Sequence, residues 1–200
     1  MSALSAEERQ RLVEQVLAAV DPRLAPGLRE ALACPGPALL PAPGQTVAIA
    51  GHRSAGKTRL LPLVGELLGR RGLDLDAHVE RTHGRQLRTW VAEAPAEFRA
   101  AERRALLELP PGGLVSLGGG FLAHHSAVLT GVFTLLVPIS FDSYRERLLR
   151  DRTRPRLRPE LSLEEELSSV FHEREALHAR VPTVALVDFL RGCLTAEVLP

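Results

Sequence analysis

Apolar residues recur along this chain at two spacings, and the two spacings predict alternating helices and strands. A spacing near 3.6 residues predicts helices over residues 5–20, 23–33, 58–69 and 95–109, with two more that begin near 141 and after 162. Short apolar runs predict five strands, over residues 46–50, 72–76, 114–117, 132–137 and 183–187. Because strands and helices that alternate in this way form parallel sheets, we predict a doubly wound α/β fold with a five-stranded parallel sheet flanked by helices.

The residues that precede this alternation are predicted to form a helical extension. Ser5 and Glu8 have the spacing of a capping box at the start of the first helix, and residues 34–44 contain four prolines, which is typical of a linker. We therefore divide the chain into an extension over residues 1–44 and a domain over residues 45–200. Two interpretations of the extension remain open: a helical hairpin packed on the domain, or a regulatory arm that docks a partner.

Residues 51–58 read GHRSAGKT, and we call them the phosphate loop; they follow the first predicted strand and begin the next helix. A loop of the form G-x-x-x-x-G-K-T points successive backbone N–H groups at nucleotide phosphates. Its lysine, here Lys57, reaches the terminal phosphates, and the hydroxyl of Thr58 can bind Mg²⁺. A glycine turn that matches by chance is the alternative. However, Lys57 is the only lysine among 25 basic residues, which indicates a specific need for a compact ammonium group.

Further candidate residues are acids and arginines on the predicted elements. In the strand over residues 72–76, alternation places Asp74 and Asp76 on one face. They form either a solvated strand end or a pair with one acid near Mg²⁺ and the other at a substrate hydroxyl. Glu102 falls in the apolar stripe of its helix beside Arg99, which indicates a buried ion pair or a cleft. Arg174 projects from an apolar stripe and is expected to meet an anion.

Two other stretches are compatible with a ligand site but do not by themselves indicate one. Gly118, Gly119 and Gly120 follow a predicted strand, where a ligand can approach the backbone closely, although a plain turn fits them equally well. Seven arginines lie between Arg145 and Arg158. Such a run forms either a solvated face or a mobile lid that brings positive charge to a transferring phosphate.

Composition excludes several classes of protein. The net charge is +1, which gives no reason to expect general nucleic-acid binding. Cys34 and Cys193 match no metal or redox spacing and indicate reduced thiols. The N-terminus lacks the pattern of a signal peptide, and no apolar run has membrane-spanning length. We therefore expect a cytoplasmic monomer that acts on a small molecule, without membrane or nucleic-acid partners.

Over residues 45–190 the chain resembles the shikimate kinase family. The resemblance depends on six features in the family's order and spacing: GHRSAGKT, Asp74-Leu75-Asp76 with Val79-Glu80, Phe98-Arg99 with Glu102, Leu117 to Gly120, Arg154-Pro155, and Arg174. It implies a P-loop kinase that transfers the γ-phosphoryl group of ATP to the 3-hydroxyl of shikimate, in aromatic amino-acid biosynthesis, with Mg²⁺ as cofactor.

The resemblance also implies a role for each site residue. Asp76 would contact the accepting hydroxyl as the base, and Asp74 would lie near Mg²⁺ with Thr58. Arg99 and Arg174 would hold the substrate carboxylate. The lid residue Arg154 would face the transferring phosphate, so that Lys57, Asp76 and Arg154 form the catalytic set. The other implied contacts are with ATP, from Gly51, Ser54, Ala55, Gly56, Lys57, Thr58 and Arg147, and with the substrate, from Phe98, Gly118, Gly119 and Gly120.

The chain departs from the family's usual pattern at five places. Ala94-Pro95 replaces a customary Gly-Glu, Ser54 a loop glycine, Trp90 a phenylalanine near the substrate, Arg156 a lid leucine and His178 a tyrosine. Because the last three bear on substrate identity, a kinase of another small hydroxy acid remains an alternative. A non-catalytic ligand sensor on the same fold is a second alternative, since a fold does not fix a function.

Overall fold

A five-stranded parallel sheet lies at the centre of the computed structural model, which describes residues 4–151 and 156–196. Its strands are β1 (Val47–Ala50), β2 (Gly72–Asp74), β3 (Leu114–Ser116), β4 (Phe133–Leu136) and β5 (Val184–Ala185). They lie in the order β2-β3-β1-β4-β5, and every neighbouring pair is parallel. The predicted α/β fold with a five-stranded parallel sheet is therefore confirmed.

Ten α-helices flank this sheet within the described ranges. They are α1 (Ala6–Ala19), α2 (Ala25–Ala33), α3 (Lys57–Leu68), α4 (Leu75–His83), α5 (Leu87–Glu93), α6 (Pro95–Leu107), α7 (Phe121–His125), α8 (Phe141–Arg150), α9 (Leu163–His178) and α10 (Leu186–Thr195). Across residues 4–151 and 156–196, no helix combines the length and the apolar content that crossing a bilayer would require.

Both faces of the sheet are covered, as the central strand shows. All four residues of β1 are buried; Val47 and Ile49 belong to one hydrophobic core, and Ala48 and Ala50 belong to another. Successive side chains of β1 therefore point into two cores on opposite faces of the sheet. One core includes residues of α1, α3 and α10, and the other includes residues of α4, α6 and α7. The carboxyl ends of β1, β2 and β3 meet at one edge of the sheet, where open α/β sheets bind ligands.

The N-terminal helices pack on the domain. The predicted capping box is present, because the Ser5 side chain accepts from the Glu8 N–H and the Glu8 side chain accepts from the Ser5 N–H. Further along α1, apolar side chains at helical spacing are 0–1% exposed and pack with α3 and α10 in one core: Leu12, Val13, Val16 and Leu17. The proline-rich segment is also held, since Arg191 of α10 donates to the carbonyls of Ala31 and Pro37.

Several predicted elements need correction. The strand over residues 72–76 ends at Asp74, and α4 begins at Leu75, because the Asp74 carboxylate accepts from the Ala77 N–H and caps that helix. The argument that alternation along one strand aligns Asp74 and Asp76 was therefore wrong. The last strand is likewise only two residues long, because the apolar residues that follow it belong to α10.

Candidate active site

The phosphate loop leaves β1 at the sheet edge and leads into α3. Gly51, Ser54 and Gly56 have positive φ angles of 140°, 60° and 93°, so the backbone turns in the left-handed region three times in six residues. The Lys57 ammonium spans the loop and donates to the carbonyls of Gly51 at 3.0 Å and His52 at 2.7 Å. Residues of the loop line a cleft of about 440 Å³, which we call the phosphate-loop cleft.

Ser54 is the point of strain in this loop. It is the one non-glycine residue with positive φ between residues 4 and 151 or 156 and 196. A left-handed conformation costs a side-chain-bearing residue roughly 1 kcal/mol. The Ser54 carbonyl accepts from the Arg147 guanidinium of α8 at 2.7 Å, so α8 holds the loop in this conformation.

Thr58 and Asp74 lie together at the floor of the phosphate-loop cleft. The Thr58 hydroxyl donates to the Asp74 carboxylate at 2.9 Å, although the two residues come from α3 and from the end of β2. A hydroxyl and a carboxylate in contact are hard oxygen ligands of the kind that Mg²⁺ prefers. The residues present therefore fit the ion that the sequence predicts.

A second cleft of about 390 Å³ opens beside the first, and we call it the arginine cleft. It is lined by four arginines, by three carboxylates and by the glycines that follow β3: Arg53, Arg88, Arg99 and Arg174; Asp76, Glu80 and Glu102; and Gly118, Gly119 and Gly120. Arg53, Asp76, Gly118 and Gly119 line both clefts. The two clefts are thus adjacent parts of one site.

Asp76 occupies the junction of the two clefts. Its Oδ1 atom is buried and has no hydrogen-bond partner in the part of the chain that the structure describes. Burial raises the pKa of Asp76 to about 6, the carboxylates of Glu102 and Asp74 add to the rise, and Lys57 and Arg99 oppose it. A carboxyl group of this kind can take up a proton near neutral pH.

Arg99 and Arg174 converge on the arginine cleft from α6 and α9. A Cβ added at Gly120 would lie 3.2 Å from the Arg99 Nη2 atom and 3.6 Å from that of Arg174. Arg99 pairs with Glu102 at 2.7 Å, as the i, i+3 spacing predicts, and Glu102 is 1% exposed. The Arg174 Nη1 atom is buried without a hydrogen-bond partner among the described residues, and burial lowers the pKa of Arg174 to about 10. The guanidinium groups of Arg99 and Arg174 can together bind an anion.

Gly118 and Gly119, which follow β3, pack so closely against their neighbours that a side chain would clash there. A Cβ at Gly118 would lie 2.7 Å from Asp76 Oδ1, and a Cβ at Gly119 would lie 2.8 Å from the backbone nitrogen of Arg53. Contacts below 3.0 Å force a neighbour to move. Glycine therefore lets this turn sit directly against the phosphate loop and Asp76.

The structure brings most of the predicted site residues to this edge of the sheet. Phe98 is 2% exposed at the base of the arginine cleft, with the Arg99 guanidinium 5.0 Å from its ring centroid. Ala55, within the phosphate loop, is fully buried. Arg147 contacts that loop through Ser54. The predicted lid residue Arg154 lies outside the described residues.

Some lining residues were not predicted, and Trp90 does not itself line the arginine cleft. Trp90 is 1% exposed and packs against His83 and Phe98, while its helix α5 presents Leu87, Arg88 and Val91 to the arginine cleft instead. The clearest missed residue is Arg53, a basic residue inside the phosphate loop, whose position in GHRSAGKT was the available signal. Arg88 gave no signal, since its helix buries too few apolar residues to show a stripe.

Comparisons of sequence with known proteins agree on one family. The sequence model of a family described as shikimate kinase matches residues 53–188. The shikimate kinase of Chlorobium luteolum is 31% identical over 164 residues, which cover 76% of this chain and 81% of that protein. The shikimate kinase of Rhodopirellula baltica is 30% identical over 143 residues, which cover 67% of this chain and 76% of that protein.

Comparison of structure agrees with the sequence. The shikimate kinase from Acinetobacter baumannii, solved in complex with shikimate, superposes with a TM-score of 0.60 at 28% identity, covering 72% of this chain and 83% of that one. The matched region includes the end of the phosphate loop, Asp74 and Asp76, the glycine turn, and both Arg99 and Arg174. The chain belongs to the shikimate kinase family, and it is an ATP-dependent phosphotransferase that acts on a hydroxyl group.

Proposed function

We propose that this chain transfers the γ-phosphoryl group of ATP to the 3-hydroxyl of shikimate. One observation carries the proposal: Arg99 and Arg174 converge above Gly120, in the same cleft as Asp76 and beside the phosphate loop. Two guanidinium groups suit a carboxylate, and a carboxylate with a pKa near neutrality suits a hydroxyl. Shikimate carries both groups on one small ring. The similarity to a kinase solved with shikimate supports this choice of substrate.

The arginine cleft would orient the acceptor. The Arg174 Nη1 atom is buried without a partner among the residues that the structure describes, so a substrate carboxylate would satisfy a donor that is otherwise desolvated at a cost. Arg99 is held in place by its ion pair with Glu102 and would supply the second contact. Fixing the carboxylate at this end of the cleft directs a ring hydroxyl toward Asp76.

Asp76 would accept the proton of that hydroxyl. The hydroxyl oxygen forms a bond to the γ-phosphorus as the bond from that phosphorus to the β,γ-bridging oxygen breaks, and ADP departs with the electron pair. The proton passes to a carboxylate oxygen of Asp76, whose Oδ1 atom has no other partner among the described residues. Phosphoryl transfer needs little covalent chemistry from the protein, so position and charge account for most of the catalysis.

The phosphate loop would hold the ATP phosphates. Its left-handed turns at Gly51, Ser54 and Gly56 shape the backbone around the cleft, and Lys57 supplies a positive charge there. Thr58 and Asp74 would hold Mg²⁺, which when bound neutralises charge on the phosphate oxygens. We propose that Arg154 adds a further positive charge from the lid and that Arg147 lies beside the adenine.

An assay of ADP release tests the proposal. We expect ATP-dependent turnover with shikimate and much lower kcat/KM for other small hydroxy acids. An enzyme that phosphorylates another hydroxy acid but leaves shikimate unchanged would overturn the choice of substrate.

A matched pair of variants tests the carboxylate site. Arg174→Lys keeps the charge but loses the planar fork of donors, so we expect the KM for shikimate to rise on the order of tenfold or more while the KM for ATP stays unchanged. Arg180→Lys, at an exposed arginine beyond the end of α9, is the control and should leave both constants unchanged.

A further inference from the structure

Three potential metal ligands meet behind the phosphate loop, outside the two clefts. His52 is the second residue of the loop, and Glu175 and His178 lie one turn apart on α9. The His52 Nε2 atom is 2.6 Å from Glu175 Oε1, and the His178 Nδ1 atom is 3.9 Å from the same oxygen. One donor atom from each residue lies within 4.8 Å of the other two. We call these three residues the His-Glu-His cluster.

Both imidazoles are almost fully enclosed, while the carboxylate reaches solvent. The side chains of His52 and His178 are 2% and 5% exposed, and that of Glu175 is 55% exposed. The His178 Nδ1 atom is buried and has no hydrogen-bond partner in residues 4–151 and 156–196, although it faces the Glu175 carboxylate. A buried polar nitrogen without a partner is costly, so this nitrogen points to a ligand.

We propose that His52, Glu175 and His178 form a binding site for a divalent transition-metal ion such as Zn²⁺, separate from the Mg²⁺ site at Thr58 and Asp74. Two imidazoles and one carboxylate are a ligand set that Zn²⁺ accepts, with a fourth position left for water. Ligand bonds of about 2.0–2.2 Å in a tetrahedral site place donor atoms roughly 3.3–3.6 Å apart. The spacings of 2.6 and 3.9 Å to the Glu175 oxygen lie on either side of that range, so movement of the exposed Glu175 side chain would even out its distances to the two imidazoles. The donor atoms of His52 and His178 already lie within 4.8 Å of each other.

Aromatic neighbours fix the orientation of the His52 ring. The ring stacks on Phe171 with centroids 4.3 Å apart and meets the edge of Tyr144 at 5.6 Å. A ring fixed by packing loses little further freedom when it binds an ion. Burial also keeps both imidazoles neutral at neutral pH, which is the form that binds metals.

Neighbouring positive charge sets a limit on the affinity. Arg174 and Lys57 lie close enough to disfavour a positive charge on either imidazole, and they oppose a divalent cation for the same reason. The cluster offers one carboxylate in compensation. We therefore expect weaker binding than at a site of the same ligands without cationic neighbours.

The His-Glu-His cluster connects the phosphate loop to helix α9. His52 belongs to the phosphate loop, whereas Glu175 and His178 belong to the helix that carries Arg174. A bound ion would tie these two elements together directly. It would raise the thermal stability of the full chain, because it binds only the folded arrangement.

Cobalt is a suitable probe, because Co²⁺ bound by nitrogen and oxygen at four or five positions absorbs visible light. We expect metal-free, full-length protein to bind one equivalent of Co²⁺ with visible absorption, and Zn²⁺ to displace it. Glu175→Gln and His178→Phe should each weaken Co²⁺ binding at least tenfold and remove the rise in Tm that Zn²⁺ causes. His172→Gln, on an exposed histidine of the same helix, is the matched control and should bind as the wild type does.

Three results would overturn the proposal. One is wild-type protein that shows no visible absorption with Co²⁺. The second is an unchanged spectrum in both Glu175→Gln and His178→Phe. The third is a thiolate charge-transfer band, which would show that the ion binds at the exposed Cys34 and not at the His-Glu-His cluster. Because Glu175 is largely exposed, its glutamine variant is expected to fold, and none of these readouts depends on kinase activity.

Discussion

Asp76 shares a small space with charges of both signs. A Cβ at Gly118 would lie 2.7 Å from Asp76 Oδ1 and 3.0 Å from Glu102 Oε1, so two carboxylates border the space that a side chain would occupy there. Their mutual repulsion adds to burial in raising the pKa of Asp76, and it makes the group a better proton acceptor than an exposed aspartate.

Replacing this carboxylate tests its role directly. Asp76→Asn keeps the size of the side chain but cannot take up a proton, so we expect kcat to fall by about 10²-fold or more. ATP binding, measured by calorimetry, should change little, because the phosphate loop is intact. Asp142→Asn, at an exposed acid on α8, is the control. Normal shikimate-dependent ADP release by Asp76→Asn would contradict the role of base.

Ser54 gives a second prediction, because two effects of similar size oppose each other there. Ser54→Gly relieves the left-handed strain of roughly 1 kcal/mol. Glycine also raises the conformational entropy of the unfolded chain, which destabilises the folded state by about 0.4–1 kcal/mol. We expect a net change in the free energy of unfolding close to zero. Ser54→Val adds a branched Cβ in the same conformation and should destabilise the protein by more than about 1 kcal/mol.

Urea unfolding of both Ser54 variants measures these changes, and the KM for ATP shows whether the loop keeps its shape. A valine variant as stable as the wild type would mean that the loop tolerates other backbone conformations at this position.

At the scale of elements, Asp21 joins the N-terminal helices to the start of α8. The side chain is fully buried, and its carboxylate accepts from the N–H and hydroxyl of Ser140 and from the hydroxyl of Ser143. Burial raises the pKa of Asp21, but these hydrogen bonds outweigh burial and lower it from 3.8 to about 2. The same helix α8 supports the phosphate loop through Arg147.

This lowered pKa predicts how stability depends on pH. The contribution of Asp21 is fully present above about pH 4, where the unfolded carboxyl is ionised, and it is lost as the pH falls toward 2. We expect a loss of about 2 kcal/mol over that interval, from a shift of nearly two pKa units. Urea unfolding between pH 5 and about pH 2 measures it.

Asp21→Asn removes the titrating group, so its stability should fall less over the same interval. The exposed Asp142→Asn variant should follow the wild type. An Asp21→Asn protein with the acid dependence of the wild type would show that other carboxyl groups are responsible.

The elements that the sequence predicted well are those with dense apolar patterns. The central strand and helices α1, α3 and α9 bury residues at regular spacing, so periodicity identifies them. In α4 only Leu75 and Val79 are buried, and in α5 only Trp90, which is too sparse a pattern to predict a helix. The start of α10 was mistaken for a strand, because its buried Leu186 follows directly on β5.

The candidate site was easier to predict than some of the elements that form it. Asp76 lies in helix α4 and not in the predicted strand. It was still expected at the site, because the resemblance placed it there through the motif Asp74-Leu75-Asp76, which does not depend on the strand. The His-Glu-His cluster could not be predicted, since His52 and Glu175 are 123 positions apart and only the fold brings them together.

At the scale of the whole molecule, α1 is part of the core that supports the phosphate loop. Its four buried apolar side chains face α3 and α10, and the Ala19 carbonyl lies 3.5 Å from where a Cβ on Gly56 would be. Burying four such side chains contributes on the order of 6–12 kcal/mol, which is comparable to the total stability of a domain.

Removing the extension should therefore affect folding and not only regulation. We expect a chain that begins at Pro43 to lose its cooperative thermal unfolding, as followed by circular dichroism. Val16→Ala, at a fully buried position of α1, should destabilise the full-length chain by about 2 kcal/mol, whereas the exposed Gln15→Ala should have little effect. A shortened chain with the Tm of the full-length protein would instead identify a separable arm.

The single lysine of this chain makes its phosphate loop chemically addressable. Reagents that acylate or methylate amines have two targets, the N-terminal amine and Lys57. In the folded chain Lys57 is 8% exposed and its ammonium donates to two loop carbonyls, so it should react slowly. Reductive methylation with ¹³C under mildly unfolding conditions would place one side-chain NMR probe at the centre of the site, and its chemical shift would report phosphate binding without a competing signal from any other lysine.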